Sequence, residues 1–425
     1  MQSNLSKNIF IILVFTLYIS VNAQWEKSNP ENCGVITVPV ADMLVHPVEH
    51  YTKTLSAPDF FARMPLCSQK ASEKPTPCAR AHQALFNEIV RIVATKDDQV
   101  CVEISTLLYG IDEKTEQPLN TFWTLKQWVM PLNNLQTYDP ELISIPPPQR
   151  TNNNSVIILT FPFHESKTNQ IYSFGTRFVH IPAYDTQDTY GIMLWDYKNK
   201  KKIITHLPKK QSMPERIFTP TQTRKKFVHL LNTLIDQNPG IIPYAWGGSS
   251  FTHVYQNAPG TQDTVALDGK EIDIWQRLEK YSPHSGFDCS ELIWRVANMC
   301  GIPYLYKTTF VAEKFLEKLG INELPQEGDL IWLEGHIQVI SNLRKNELIE
   351  ASGYPTGFGK VQRAPLAKIF RDISTYAQLI DAYQNKKKIT RLMSNGNNYR
   401  EYPHCAILKL PNSYNECEMH TTKGH

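Results

Sequence analysis

The sequence predicts an α+β protein of several domains, in which short β-strands outnumber helices. The chain has 425 residues, which at roughly 100 to 200 residues per domain corresponds to about two to four domains. Its 28 Pro and 19 Gly favour many short strands joined by turns. Late in the chain, a helix that carries a Cys is followed by three short strands, a pattern typical of a helix packed on an antiparallel sheet.

The charge of the chain is nearly balanced, with 44 Lys and Arg against 41 Asp and Glu, and 41% of its residues are hydrophobic. This composition excludes a disordered or fibrous protein. No segment carries the dense basic stripe of a nucleic-acid groove, so we expect no nucleic-acid partner. His404, Cys405 and His420 lack metal-ligand spacing, and we expect neither a metal nor an organic cofactor.

Residues 1–23 have the pattern of a cleaved secretory signal peptide. Lys7 precedes an apolar run from Ile9 to Ile19, and small residues lie before the expected cleavage point after Ala23. The run is shorter than the roughly 20 residues that span a bilayer, although an uncleaved anchor is the alternative. We therefore expect a periplasmic or secreted protein with no membrane span after cleavage, in a compartment that permits disulfides.

The even number of cysteines in a secreted chain is compatible with four disulfides, although the sequence does not give their connectivity. Cys67 with Cys78, and Cys405 with Cys417, are close enough in the chain to close small loops. Cys300 has apolar neighbours and is expected to be a core residue or a disulfide partner. The full set is Cys33, Cys67, Cys78, Cys101, Cys289, Cys300, Cys405 and Cys417.

Two strand-rich units precede the helical part of the chain. Alternating apolar stretches broken by polar turns run from Gly34 to about Leu132 and indicate strands. Residues 140–154 are rich in Pro and Asn, which is typical of a linker. A second unit covers residues 155–215, and the Lys-rich stretch at 199–210 is typical of an exposed sheet edge.

The third unit, residues 216–365, begins with a helix predicted over 221–236 from the spacing of its apolar residues. A second helix follows the segment GFDCS, with Gly301 at the position of a left-handed C-cap. The segments GDLIWL, GHIQVIS and ELIEAS then predict three short strands. Residues 366–425 form a C-terminal extension to which the sequence assigns no task.

Cys289 lies in the first turn of that second helix, where free backbone N–H groups and the helix dipole are expected to lower the pKa of a thiol. His336 begins one of the following strands and Glu350 lies on the next, so the imidazole could stand between the thiol and a carboxylate. Packing, a disulfide or a solvated position would explain each residue alone. The residues by themselves indicate a Cys/His hydrolase and go no further.

Five motifs resemble, in order and spacing, the NlpC/P60 family of cell-wall cysteine peptidases, whose core is a papain-like α+β fold. The resemblance implies that Cys289 is the nucleophile, that His336 is the general base and that the hydroxyl of Tyr244 helps to hold the oxyanion. The motifs are YAWGGS at 244–249, GFDCS at 286–290, GDLI at 328–331, GHI at 335–337 and IEAS at 349–352.

The preceding units resemble two bacterial SH3-like β-barrels of the subgroup that includes γ-D-glutamyl-L-diamino acid endopeptidases. The first barrel is expected within residues 24–139 and the second within 155–215. In that subgroup the first barrel restricts the cleft to stem peptides with a free L-Ala amine, and the resemblance implies that Asp288, Ser290 and Glu88 bind this amine. The aromatic residue that the barrel lends to the cleft matches Phe122, Trp123 or Tyr109.

Two features depart from the family pattern. The third catalytic position is usually His, and sometimes Asn or Gln, whereas this sequence has Glu350. A carboxylate can orient an imidazole, although Glu350 could instead be a solvated strand residue. The insertion at 251–285 is longer than is common in the family, and either a lid beside the cleft or a surface insertion would explain it.

Together these observations predict a monomeric cysteine endopeptidase that hydrolyses the γ-D-glutamyl-diaminopimelate bond of peptidoglycan stem peptides or muropeptides, with a preference for a free N-terminal L-Ala. Catalysis is expected from Cys289, His336, Glu350 and Tyr244. Two alternatives stay open: a non-catalytic peptidoglycan-binding protein, and a cysteine hydrolase or deamidase that acts on a protein.

Overall fold

The computed structural model describes residues 32–64, 78–112, 118–135, 156–197, 199, 201–215, 219–237, 242–252 and 285–411. The predicted signal peptide, the predicted linker and most of the insertion at 251–285 lie outside these residues. Cys67 and Cys417 lie outside them as well. Cys78 is disulfide-bonded, as the first suggested loop requires. Cys405 is instead a free, buried thiol, so the second suggested loop is not formed.

The first unit is a seven-stranded antiparallel sheet in the order β3-β2-β8-β5-β4-β1-β9. Its inward residues, such as Met43, Val102 and Phe122, are fully buried. The elements are β1 Cys33–Ile36, β2 Val40–Leu44, α1 Ala57–Ala62, β3 Arg80–Leu85, β4 Ile89–Lys96, β5 Gln99–Glu103, the pair β6 Gly110–Ile111 and β7 Pro118–Leu119, β8 Thr121–Leu125 and β9 Val129–Pro131.

The second unit is a five-stranded antiparallel sheet in the order β15-β14-β13-β10-β16, with a small hairpin beside it. The predicted Lys-rich edge is confirmed, because β15 is an outer strand of this sheet. That both units are SH3-like barrels stays a prediction. The strands are β10 Val156–Leu159, β11 Phe163–Glu165, β12 Gln170–Tyr172, β13 Arg177–His180, β14 Thr189–Asp196, β15 Lys201–Pro208 and β16 Ser212–Pro214.

The third unit packs helices on a five-stranded sheet in the order β22-β21-β20-β19-β25, which confirms the predicted α+β class. Helix α3 packs against β20 and β21. The elements are α2 Pro220–Asp236, β17 Ser249–Ser250, β18 Gly286–Phe287, α3 Cys289–Met299, α4 Thr309–Phe315, β19 Leu330–Leu333, β20 His336–Asn342, β21 Glu347–Ser352, β22 Lys360–Pro365, α5 Leu366–Ile369, α6 Tyr376–Gln384, β23 Ile389–Leu392, β24 Asn398–Tyr402 and β25 Ala406–Leu408.

Local sequence determines where the two long helices begin. The side chain of Thr219 accepts a hydrogen bond from the Gln222 backbone N–H, and the Gln222 side chain accepts one from the Thr219 backbone N–H, which is a capping box. Asp288 caps α3 in the same position. Helix α3 ends before Gly301, whose φ of +72° is the expected left-handed conformation. No helix in the described ranges is long and apolar enough to cross a membrane.

The C-terminal extension is part of the third unit's core. Strand β25 pairs with β19, so that Leu330 lies opposite Leu408. Leu408 and Ile407 are both fully buried, on opposite faces of the sheet. The extension therefore completes the sheet that carries His336 and Glu350.

We predict that Leu408→Ala lowers the free energy of unfolding by roughly 2–5 kcal/mol, because it removes buried methyl groups and leaves a cavity. The matched control is Leu324→Ala, since Leu324 is 81% exposed and its truncation should change stability by no more than about 0.5 kcal/mol. Denaturant unfolding monitored by tryptophan fluorescence measures both. Equal stability of the two variants would contradict the assignment of the extension to the core.

Candidate active site

Cys289 is the first residue of α3 and lies almost buried at the helix N-terminus. Oδ1 of Asp288, the residue before it, accepts the Glu291 backbone N–H at 2.7 Å. The other N–H groups of the first helical turn have no partner within the helix, and the Ser290 backbone is hydrogen-bonded to the thiol. Cys289 is a free thiol rather than a disulfide partner, as is the buried Cys300.

The expected low pKa of the Cys289 thiol is wrong. Burial raises the pKa of Cys289 to about 12, with a further increase from the Asp288 carboxylate. Backbone hydrogen bonds with Ile337 and Ser290, and the charge of Lys307, oppose this rise but do not cancel it. Desolvation of the thiolate thus outweighs the hydrogen bonds and the Lys307 charge that favour it, and the resting thiol is protonated at neutral pH.

The structure brings His336 and Glu350 together on neighbouring strands. Val339 of β20 lies opposite Ile349 of β21, which places Gln338 opposite Glu350 and His336 one diagonal step away. The Nε2 atom of His336 lies 2.8 Å from Oε2 of Glu350. The backbone of Ile337, the next residue after His336, is hydrogen-bonded to the Cys289 thiol, so the thiol lies at the start of the strand that carries the imidazole.

Glu350 is not a solvated strand residue, since only 1% of its surface is exposed. Its carboxylate accepts hydrogen bonds from Gln338 Nε2 at 2.7 Å, from Gln362 Nε2 at 2.9 Å and from Arg391 Nη2 at 2.8 Å. Burial would raise the pKa of Glu350, but the Arg391 guanidinium and the His336 hydrogen bond hold it well below its usual value. Glu350 is therefore ionised in the interior.

Arg391 is a site residue that the sequence analysis missed. It lies on β23 in the C-terminal extension, is 1% exposed and also donates to Ser352 Oγ at 2.7 Å. No local pattern marks it, because it reaches Glu350 from 41 residues further along the chain. Sequence reasoning could have identified Gln338 and Gln362. Each lies opposite Glu350 on a neighbouring strand, so the pairing of the predicted strands places both side chains beside it.

The partner of His336 determines its tautomer. An ionised carboxylate only accepts hydrogen bonds, so the neutral imidazole carries its proton on Nε2 and keeps a lone pair on Nδ1. Burial lowers the pKa of His336, and the positive charge of Arg391 lowers it further, while Glu350 and Asp288 oppose both effects. Near neutral pH, His336 is thus an uncharged base next to a protonated thiol.

Tyr244 lies beside the nucleophile on the segment that precedes β17. Its backbone N–H donates to the Gly359 carbonyl at 2.9 Å, and the residue forms a bridge with Phe287, two positions before Cys289. Burial raises the pKa of Tyr244 well above its usual value, and the nearby Cys289 adds to the rise. Tyr244 is therefore a neutral phenol, and its O–H is available as a donor.

Gly247 explains why the motif after Tyr244 needs glycine. Its φ of +66° is in the left-handed region, and an added Cβ would overlap the backbone of Arg80 in β3. This close approach brings the first sheet against the loop that holds Asp288, whose Oδ2 accepts the Gly247 N–H at 3.0 Å.

The three residues predicted to bind the substrate amine are already engaged inside the protein. Asp288 Oδ2 pairs with Lys307 Nζ at 2.9 Å. Ser290 Oγ donates to the Lys307 carbonyl at 2.5 Å. Glu88 forms an ion pair with Arg295 of α3, although it comes from the first unit.

The first sheet also sends a buried histidine to α3. His82 Nδ1 lies 2.6 Å from Glu291 Oε1, and both side chains are fully buried. Burial lowers the pKa of His82 and raises the pKa of Glu291 to about 7. Among the described residues, the second nitrogen of His82 and the second oxygen of Glu291 have no hydrogen-bond partner. The sequence analysis identified neither residue.

Of the three aromatic candidates, Tyr109 is linked to the site through Lys307. The neighbouring Leu108 accepts the Lys307 backbone N–H at 2.9 Å, and Tyr109 acts electrostatically on Lys307. Phe122 is fully buried and packs beside His82, and Trp123 packs in a separate apolar cluster with Leu44. Among the described residues, no group of three or more His, Cys, Asp or Glu could hold a metal ion.

Comparison with known proteins gives a structural likeness but no sequence match. No protein-family model and no curated protein matches the chain. A NlpC/P60 family protein from Bacillus cereus is 17% identical, with a TM-score of 0.49 over 79% of this chain and 94% of that one. NlpC2 from Trichomonas vaginalis is 11% identical, with a TM-score of 0.28 over 78% of this chain and 91% of that one. At such low identity and TM-score the likeness assigns no function.

We predict that Arg391→Met raises the pKa of His336, because a nearby positive charge that disfavours the imidazolium is removed while Glu350 remains. Nuclear magnetic resonance titration of labelled histidine measures this, and in the unaltered protein the His336 pKa should lie below 6.5. The control is Arg400→Met, which removes an exposed ion pair with Glu334 in the same extension. An unchanged His336 pKa in Arg391→Met would contradict the assigned role of Arg391.

Proposed function

We propose that this protein is a cysteine peptidase that hydrolyses the γ-D-glutamyl-diaminopimelate amide bond of peptidoglycan stem peptides, in the periplasm or outside the cell. The observation that carries the proposal is the hydrogen bond between buried His336 and buried Glu350, on the strands against which the helix of the free Cys289 thiol packs. Nucleophile, base and orienting carboxylate in this arrangement are the groups that acyl transfer requires.

The proposed reaction forms and then breaks a thioester. The Cys289 sulfur attacks the γ-carbonyl of D-Glu while Nδ1 of His336 takes the thiol proton. The amide C–N bond then breaks, and the imidazolium returns the proton to the departing diaminopimelate amine. Water, deprotonated by the same imidazole, hydrolyses the thioester and regenerates Cys289. Glu350 keeps Nδ1 aimed at the thiol and stabilises the transient imidazolium.

The raised pKa of Cys289, about 12, affects the order of these events. A thiol that is protonated at rest must lose its proton as the substrate arrives, rather than wait as a thiolate. His336 can accept that proton because burial and Arg391 keep it uncharged. Deprotonation and attack are therefore coupled in this proposal.

Two donors are available for the oxyanion. The backbone N–H of Cys289 belongs to the first turn of α3, where N–H groups lack helix partners. The Tyr244 hydroxyl, a neutral phenol beside Cys289, is the second. Both are fixed before the substrate arrives, so they stabilise the developing charge without reorganisation.

The choice of substrate rests on the resemblance of the five motifs to cell-wall peptidases. Cleavage of the γ-D-glutamyl bond does not depend on the preference for a free N-terminal L-Ala that the sequence predicts. The partner would be a stem peptide or muropeptide, and the working form is expected to be a monomer.

A non-catalytic peptidoglycan-binding role is the second candidate. The observation that favours it is the buried Cys289 thiol with its pKa of about 12, which is unreactive unless a substrate triggers proton transfer. The two candidates differ in turnover and not in binding.

The test is mass spectrometry of the products after incubation of the mature protein with L-Ala-γ-D-Glu-diaminopimelate, free or attached to muramic acid. We expect release of diaminopimelate from at least one peptide, and its complete loss in a folded Cys289→Ala variant. Binding of both peptides without any release would favour the second candidate. Equal turnover by Cys289→Ala would exclude Cys289 as the nucleophile.

We also predict the pH dependence of turnover. Because the reaction needs neutral His336, whose pKa is lowered from 6.5, kcat/KM should fall only as the pH drops below that value. The charges of Glu350, Arg391 and Asp288 act on His336, and the pKa of His336 is lowered with all three taken into account. Initial rates across the acidic and neutral range measure it. An acid limb centred above neutral pH would contradict an uncharged resting base.

A further inference from the structure

We propose that Lys307 fills, with its own ammonium group, the position beside Cys289 where a free substrate amine was expected, so that the enzyme selects stem peptides whose N-terminal amine is acylated. This inference rests on the proposed function and defines its substrate class. It replaces the preference for a free L-Ala amine that the sequence analysis predicted.

The first observation is that both oxygens of Asp288 are already engaged by groups of the protein, one of them by an ammonium. Oδ1 accepts the Glu291 N–H at 2.7 Å, and Ser290 Oγ lies 3.2 Å from it. Oδ2 accepts the Gly247 N–H at 3.0 Å and Lys307 Nζ at 2.9 Å. A carboxylate oxygen offers about two acceptor positions, so donors within the protein take three of the four positions of Asp288, and the fourth lies against Ser290 Oγ.

Ser290 and Glu88, the other two residues expected to bind the amine, are also held by contacts within the protein. The single hydroxyl proton of Ser290 is directed to Lys307 O or to Asp288, which leaves its position fixed by the protein. The charge of Glu88 is balanced by Arg295, which is itself held by the Ser249 carbonyl at 2.9 Å. None of the three can become free for an amine without breaking a buried or partly buried contact within the protein.

Lys307 is held in this position and does not act as a mobile surface cation. Its backbone N–H donates to the Leu108 carbonyl at 2.9 Å, and its own carbonyl accepts from Ser290. Only 5% of its surface is exposed, and Nζ also lies 3.4 Å from Glu291 Oε1. Although burial lowers the pKa of Lys307, Asp288 and Glu291 raise it above its usual value, so the group stays charged.

The consequence is a change in which substrate N-terminus is tolerated. A free amine would bring a second positive charge next to Lys307, whose ammonium already pairs with the carboxylates of Asp288 and Glu291, which is unfavourable. An acylated amine is neutral. Among the described residues Lys307 Nζ has two acceptors, and an ammonium has three N–H donors, so one donor can face the carbonyl oxygen of the acyl group.

The experiment compares kcat/KM for L-Ala-γ-D-Glu-diaminopimelate and for the same peptide with an N-acetyl group, using the mature protein. We expect the acetylated peptide to be cleaved faster by roughly tenfold or more. Equal or faster cleavage of the free peptide would overturn the inference and leave the proposed function standing. Cleavage of neither peptide would instead overturn the proposed function.

A variant tests the part played by Lys307. Lys307→Met frees Asp288 for a substrate amine, and the ratio of the two kcat/KM values should shift towards the free peptide by about tenfold or more. Where Lys307→Met does not fold, Lys307→Met with Glu291→Gln removes one of the unpaired carboxylates and serves the same purpose. Lys409→Met, at a surface ion pair, is the control and should leave the ratio unchanged. An unchanged ratio in the folded Lys307 variant would overturn the inference.

Discussion

The ionised carboxylate of Glu350 lies in the interior of the protein, where a charge is stable only beside an opposite charge and enough hydrogen-bond donors. Arg391 supplies the charge, while Gln338, Gln362 and His336 supply further donors. With these partners the carboxylate fixes the imidazole tautomer. Because burial lowers the pKa of His336 and Arg391 opposes the effect of Glu350, the imidazole stays uncharged and can act as a base.

The partners that the buried Glu350 carboxylate needs come from parts of the chain that are distant in sequence. The donors to Glu350 come from β20, from β22 and from the C-terminal extension, so the third catalytic group is complete only when the extension has folded onto the sheet. On the other side of Cys289, the first sheet reaches α3 through His82 and Glu88. The thiol therefore lies between two buried networks of charged residues, and burial within them keeps it protonated at rest.

The sequence predicted those features that depend on local pattern. Apolar spacing gave the helix that begins after Thr219, strand alternation gave β19 to β21, and strand adjacency placed Glu350 near His336. It missed Arg391 and Lys307, whose partners are set by tertiary packing rather than by neighbouring residues. The low pKa expected for Cys289 was wrong for the same reason, since the helix position is visible in the sequence but the burial that outweighs it is not.

A double-mutant cycle on the free energy of unfolding tests the central role of the Glu350 and Arg391 pair most directly. Glu350→Gln and Arg391→Met should each cost roughly 3–5 kcal/mol, because each leaves a buried charge without its partner. The double variant removes both charges and should lose clearly less than the sum. If the two losses add to within about 0.5 kcal/mol, the residues act independently, and the account of Glu350 as a carboxylate maintained by Arg391 would be contradicted.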